Sequence, residues 1–147
     1  MKKVLFLLFS ALVVCSGCDI HKTEVIKPGV DIYTEYITIT PDDWTENDTP
    51  SGNAGCYKFK TVSCKMINSN VMESGAVMVY YMADNKKADH PLPYVFPVET
   101  ESSIISQNIR YCVRKGYITF IVEWDDAEIY NINYDMEFKV CVFSPEE

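Results

Sequence analysis

A chain of 147 residues with 21 acidic and 13 basic side chains carries a formal charge of −8. That sign gives no electrostatic footprint for a phosphate backbone, which excludes nucleic acid as a partner and disfavours other polyanionic surfaces. With 48% apolar residues, the length suits one domain with a sizeable buried core.

The chain opens with Met1-Lys2-Lys3, then an apolar run from Val4 to Val14 with Ser10 and Ala11 inside it, then the small residues Ser16 and Gly17. A basic start, an apolar stretch and small residues at a cut site predict an export signal over residues 1–17, read as a signal helix. The run falls short of the about 20 apolar residues that span a bilayer. Cys15-Ser16-Gly17-Cys18 resembles a bacterial lipobox, with Cys15 where leucine is usual. That resemblance implies a lipid on the Cys18 sulfur before cleavage, and so a membrane partner reached through palmitate-type acyl chains. Each buried methylene contributes about 0.8 kcal/mol, so two or three chains hold a protein firmly. The expected location is the cell envelope, at the outer membrane, with the periplasmic or surface face left open. Loss of Lys2 and Lys3 with the signal takes the formal charge from −8 to −10.

Residues 18–31, with Lys27-Pro28-Gly29, show little periodicity and read as a tether. Its thirteen residues from Asp19 to Asp31 reach at most about 45 Å, at roughly 3.5 Å each. From residue 32 to 147 the pattern is that of a single β domain. Tyr33, Ile37 and Ile39 share one face, interrupted by Glu35, and Thr34, Tyr36, Thr38 and Thr40 form the other, until Pro41-Asp42-Asp43 breaks the run. Thr45 to Gly55 is dense in turn residues and reads as a loop. In Cys56 to Lys65, Tyr57, Phe59 and Thr61 alternate with Lys58 and Lys60, which predicts a half-buried strand with its lysines in water. Asn70-Val71-Met72-Glu73 has capping-box spacing and Gly75 stops the turn, predicting one helical turn between strands.

Ala76 to Ala83 is apolar on both faces, as in a central strand. Asp84 to Asp89 is a polar turn. His90 to Pro97 is held extended by prolines whose missing N–H groups place it at an edge. Ile104 to Val113 and Tyr117 to Trp124 form a hairpin about Arg114-Lys115-Gly116. Asp125 to Asp135 is a loop, and Met136 to Phe143 closes the domain with Phe138, Val140 and Val142 facing one way. These elements predict an all-β fold, an antiparallel β-sandwich of about seven strands with one short helical turn.

With Cys18 lipidated, Cys56, Cys64, Cys112 and Cys141 form an even set that permits two disulfides in an oxidising compartment. If 56–64 is one strand, its ends lie about 26 Å apart at roughly 3.3 Å per residue, beyond the about 7 Å a bridge allows. Cys56 then pairs with Cys112 or Cys141 and Cys64 with the other. The alternative is four unpaired thiols.

The order of Trp44, Tyr57 and Phe59, then "VMESGAVMVYY", "PLPYVFP", "RYCVRKGYITFIVEW" and "MEFKVCVF", resembles a family of small lipoproteins of the Bacteroidota. The likeness covers about residues 37–143. It implies an exported β-sandwich and no activity, because that family has no assigned reaction. The cysteines and the Lys27-Pro28 tether depart from it.

Residues that could carry chemistry are few. His21 lies in the tether and His90 precedes Pro91; no Gly-x-Ser-x-Gly elbow is present, and no catalytic residue is assigned. No Cys or His spacing suits zinc, and Glu123, Asp125, Asp126 and Glu128 lack a calcium-loop pattern, so they read as a solvated acidic turn, like Asp42-Asp43; no metal or cofactor is expected. The aromatics are more informative. Trp44, Tyr94, Trp124, Tyr130 and Tyr134 fall where strands end. Such rings either plug the core or offer flat apolar surface with a polar tip. Of these, Trp124, Tyr130, Tyr134 and Tyr94 are the candidate binding residues. The expectation is a non-enzymatic interaction module for an envelope protein or glycan; the alternatives are a carbohydrate-binding accessory lipoprotein and a minor structural subunit of a surface appendage joined by strand addition.

Overall fold

Apolar residues that recur at every second position need a second layer to cover them, and the chain supplies it by folding into two facing antiparallel sheets. The computed structural model describes residues 29–48, 55–83 and 88–145. One sheet runs in the order β1 (Val30–Ile39), β9 (Met136–Pro145), β4 (Ala76–Ala83), β5 (Ala88–Pro91). The other runs β2 (Thr45–Asn47), β3 (Tyr57–Ser63), β8 (Tyr117–Trp124), β7 (Ile104–Arg114), β6 (Tyr94–Glu99). A short helix, α1 (Ser69–Ser74), links β3 to β4. The expected β-sandwich is therefore what forms. The signal segment 1–17, Cys18, His21 and most of the tether lie outside the described residues. β1 begins at Val30, so the last two residues assigned to the tether are strand.

The core sits between the sheets. Ile39, Ile109, Phe120, Phe138, Met136 and Val140 are each at most 1% exposed, and the rings of Phe120 and Phe138 meet across the gap at 4.4 Å. Tyr111 reaches over from β7 to donate its hydroxyl to the Val77 carbonyl at 2.8 Å, and burial pushes its phenol pKa up. The hairpin forms as expected, with Arg114 opposite Tyr117 and Gly116 at φ +80°, a left-handed position that suits glycine.

Among the described residues nine strands stand where about seven were expected, for two reasons. Thr45–Asn47, read as loop, pairs with Tyr57–Phe59 because β3 offers a free edge there. The proline-rich stretch does lie at sheet edges, but it is two strands in two sheets: β5 pairs β4 through His90 and Tyr81, and β6 pairs β7. The chain crosses between layers at Leu92-Pro93, whose Leu92 N–H donates to the Val79 carbonyl. Lys58 and Lys60 are also corrected. They lie opposite Val122 and Phe120, on the inner face, and Lys58 is only 6% exposed. Their stems cover core while the ammonium groups reach out to acids, Lys58 to Glu46 on β2 at 2.9 Å and Lys60 to Asp43 of the β1–β2 connection at 2.7 Å. Tyr57, Phe59 and Thr61 face outward instead.

The helical turn is present but capped by Asn68, whose Oδ1 accepts the Val71 N–H at 3.0 Å, two residues before the asparagine expected to do so. Cys56, Cys64, Cys112 and Cys141 are all free thiols. Cys112 lies on the outer face of one sheet and Cys141 on the outer face of the other, each between inward-facing residues, so the core separates them. Cys64 is buried, and burial, with the Glu35 carboxylate beside it, pushes its thiol pKa up. Cys56, at the far end of β3, donates to the Asp48 carbonyl.

Asp43, read as part of a solvated turn, is a structural acid. It accepts from Lys60, from the Thr40 hydroxyl at 2.7 Å and from the Thr40 N–H at 3.0 Å. These donors, Lys60 foremost, hold its carboxyl at about 2 against an ordinary 3.8. A depressed folded-state pKa contributes stability that is present above the unfolded value and is lost as pH falls through the folded one. The melting temperature of Asp43→Asn should thus lie below that of the wild type at pH 6, and the two should converge as pH falls from about 4 towards 2. Calorimetry showing a gap that stays constant with pH would contradict this role.

Candidate functional site

At the end of the sandwich where β8 runs into the 125–135 loop, a cleft of about 730 Å³ opens, within the size range of small-ligand sites. Its floor is Trp124 and Gln107, opposite one another on β8 and β7. Tyr130 and Tyr134 form one wall, and Glu99 and Glu101 stand on the other.

Local chemistry holds the loop that carries the tyrosines. The Ala127 N–H closes a turn on the Trp124 carbonyl, with Ala127 at φ 62°, its Cβ against Gly55. Asp126 then accepts twice, from the Glu128 N–H at 3.2 Å and from the Tyr130 hydroxyl at 2.5 Å. That hydrogen bond is the main reason the Tyr130 phenol pKa is raised. The Tyr130 ring meets Trp124 edge-on at 5.6 Å, and Ile132, 5% exposed, pins the far half of the loop into the core. On the opposite wall, Thr100 and Ser103 exchange backbone and side-chain hydrogen bonds that close the β6–β7 turn. Both walls are thus set before any ligand arrives.

The polar floor is defined by one side chain. Gln107 is 4% exposed and its Oε1 accepts the Trp124 indole N–H at 3.3 Å. An indole nitrogen only donates, so this contact fixes which end of the amide faces it. The Nε2 group is left buried without a partner. An unmet buried donor costs about 1–3 kcal/mol.

A second depression of about 690 Å³ lies on the outer face of β7 and β8. Its polar groups mainly satisfy each other. Glu123 takes Arg110 in two hydrogen bonds, at 3.0 and 3.1 Å, and Asn108 Nδ2 at 2.8 Å, leaving Asn108 Oδ1 open. The acidic residues read together in the sequence are thereby dispersed: Glu123 is in this ion pair, Asp126 is in the loop turn, and Asp125 and Glu128 are exposed.

Three of the four candidate binding residues, Trp124, Tyr130 and Tyr134, come together in the cleft. Tyr134 is its accessible ring, 41% exposed, whereas Trp124 is 5% exposed and acts as floor. Tyr94 does not join them. It is half-buried between the sheets, stacked on His90 at 4.2 Å and on Phe96 at 5.3 Å, because its place on β6 faces Tyr81 of β4. His90 is therefore a stacking partner in that aromatic cluster. Trp44 is buried, with its indole N–H unpartnered. Gln107 was missed by the sequence reading, although it sits in phase with Ile105 and Ile109, and a polar residue in a buried register is the signal that marks it. Among the described residues, no group of three or more His, Cys, Asp and Glu side chains is placed to hold a metal ion, and no helix is long and apolar enough to cross a membrane.

The chain matches no family model, no curated protein and no solved structure.

Proposed function

We propose that this protein is a non-enzymatic binding module of the bacterial cell envelope, anchored at the outer membrane by lipid on Cys18, and that its cleft takes a neutral glycan. The observation that carries the ligand class is the buried Gln107 amide. It offers a fixed, unspent donor at the base of a cleft whose walls are tyrosines, asparagines and carboxylates. A sugar brings both of the things such a site asks for. Its apolar ring face packs on Tyr134 and Tyr130, and its hydroxyls accept from Gln107 and donate to Glu99 and Glu101. Those two carboxylates, in a chain of formal charge −8, disfavour acidic saccharides. The basic start, apolar run and Cys15-Ser16-Gly17-Cys18 support the anchor.

On a glycan array the chain should retain neutral oligosaccharides, and Tyr134→Ala should weaken the best of them about fivefold to tenfold, the worth of one ring contact. Tyr134 is exposed, so its loss leaves the fold alone. Gln107→Met, checked by thermal melting for an intact fold, should weaken binding further. Palmitate labelling of the chain in cells, abolished by Cys18→Ala, tests the anchor. An array without signal, or one indifferent to Tyr134→Ala, rules out the glycan reading, and an unlabelled wild-type chain rules out the lipid.

A further inference from the structure

At the opposite end of the sandwich, β1 is an edge strand paired with β9 along its whole length, from Val30 opposite Pro145 to Ile39 opposite Met136. Every second residue of such a strand turns its N–H and C=O away from its partner, and among the described residues no backbone group outside the strand ladder bonds to them. Side chains from Val30 to Tyr36 are exposed on both faces. This half of β1 thus overhangs the second sheet. Beneath it lies a groove of about 430 Å³ between Tyr33 and Glu35 on one side and Cys64 and Met66 on the other, floored by Val142.

An open ladder beside a groove is the geometry of strand addition, in which main-chain bonds supply affinity and the groove selects side chains. The charges select the strand. Asp31 and Glu35 flank Tyr33 on the groove face, and neither is in an ion pair among the described residues. A second copy presenting the same strand antiparallel about Tyr33 would set Asp31 against Glu35 twice, and like charges directly opposite destabilise a pair. We propose that the free edge of β1 accepts an extended segment of a partner protein carrying two basic residues four positions apart with an apolar residue midway. The basic residues lie beside Asp31 and Glu35, the apolar one enters the groove beside Tyr33, and the residues between them rest beside Ile32 and Thr34 on the outer face. This site is separate from the glycan cleft and does not depend on it.

The test is fluorescence anisotropy of the purified chain with a labelled peptide of alternating apolar residues that bears two lysines at this spacing, against the same peptide with glutamates in their place. The lysine peptide should bind about tenfold more tightly, the sum of two favourable pairs against two unfavourable ones, and the margin should shrink with salt. In the double variant Asp31→Lys, Glu35→Lys the preference should reverse, a gain that a misfolded chain does not produce. Equal affinity for both peptides, binding of neither, or a preference that survives the double variant overturns the proposal. So does a concentration-dependent dimer abolished by Ile32→Lys, which would make a second copy the occupant. Peptide binding that appears only after residues 19–28 are removed would assign the edge to the chain itself and overturns it equally.

Discussion

Phe138→Ala should cost about 3–5 kcal/mol of unfolding free energy, a large share of the about 5–15 kcal/mol that holds a domain folded. The ring is fully buried, 4.4 Å from Phe120 and 5.8 Å from Tyr81, so its removal empties the middle of the interface between the sheets. The site has little means of collapsing. Phe138 lies on β9, hydrogen-bonded to β1 on one side and β4 on the other, opposite Ile37 and Tyr81. Two ladders hold its backbone in place, and the lost contacts become a cavity. Guanidinium unfolding would measure the loss, and Phe138→Leu, which retains most of the volume, should cost clearly less. A loss under about 1 kcal/mol for alanine would mean that the sheets close over the gap and that the two ladders do not hold the β9 backbone rigid.

Gly75→Ala should be the next most damaging change, about 3 kcal/mol, at the upper end of what overpacking costs. A Cβ at this position would stand 2.3 Å from the Phe143 carbonyl oxygen and 2.8 Å from the Val71 Cα, both backbone atoms. Neither atom yields cheaply. Phe143 is held in the β9 ladder opposite Ala76 and Ile32, and Val71 is buried in α1. The helix would have to lift from the strand. Gly75 sits at φ −97°, so the requirement for glycine is this close approach and not a left-handed cap. Gly116 makes the contrast: it has φ +80° with open space around it, and alanine there should cost only about 1 kcal/mol of backbone strain. Chemical denaturation of both variants separates the two causes; a Gly75→Ala chain as stable as Gly116→Ala would refute the steric account.

Where local pattern and local partners agreed, the fold was legible. The hairpin from Ile104 to Trp124 has its turn residue, its alternation and its neighbour in sequence, and all three point the same way. Strand β9 was legible for the same reason, since Phe138, Val140 and Val142 are the buried face. The errors fall where burial was decided by a distant segment. Lys58 and Lys60 look like a wet face until Asp43 of the β1–β2 connection and Glu46 of β2 arrive to meet them. Thr45–Asn47 looks like loop because its partner, β3, is what makes it a strand. In the cleft, the aromatics Trp124, Tyr130 and Tyr134 were visible as residues near a strand end. Gln107 was not, because its meaning depends on which side of the amide Trp124 occupies.

By itself, the sequence determined that this is a two-layer β protein: apolar residues at period two have only one way to leave water, with one sheet covering another. It also carries the basic start, the apolar run and Cys15-Ser16-Gly17-Cys18 from which the proposed anchor is read. Tertiary structure decided the rest. It set which sheet each strand joined, which cysteines faced apart, which rings shared a cleft and which edge stayed open. Those outcomes follow from pairing between strands far apart in the chain, and a period of two fixes the face of a residue without naming its neighbour.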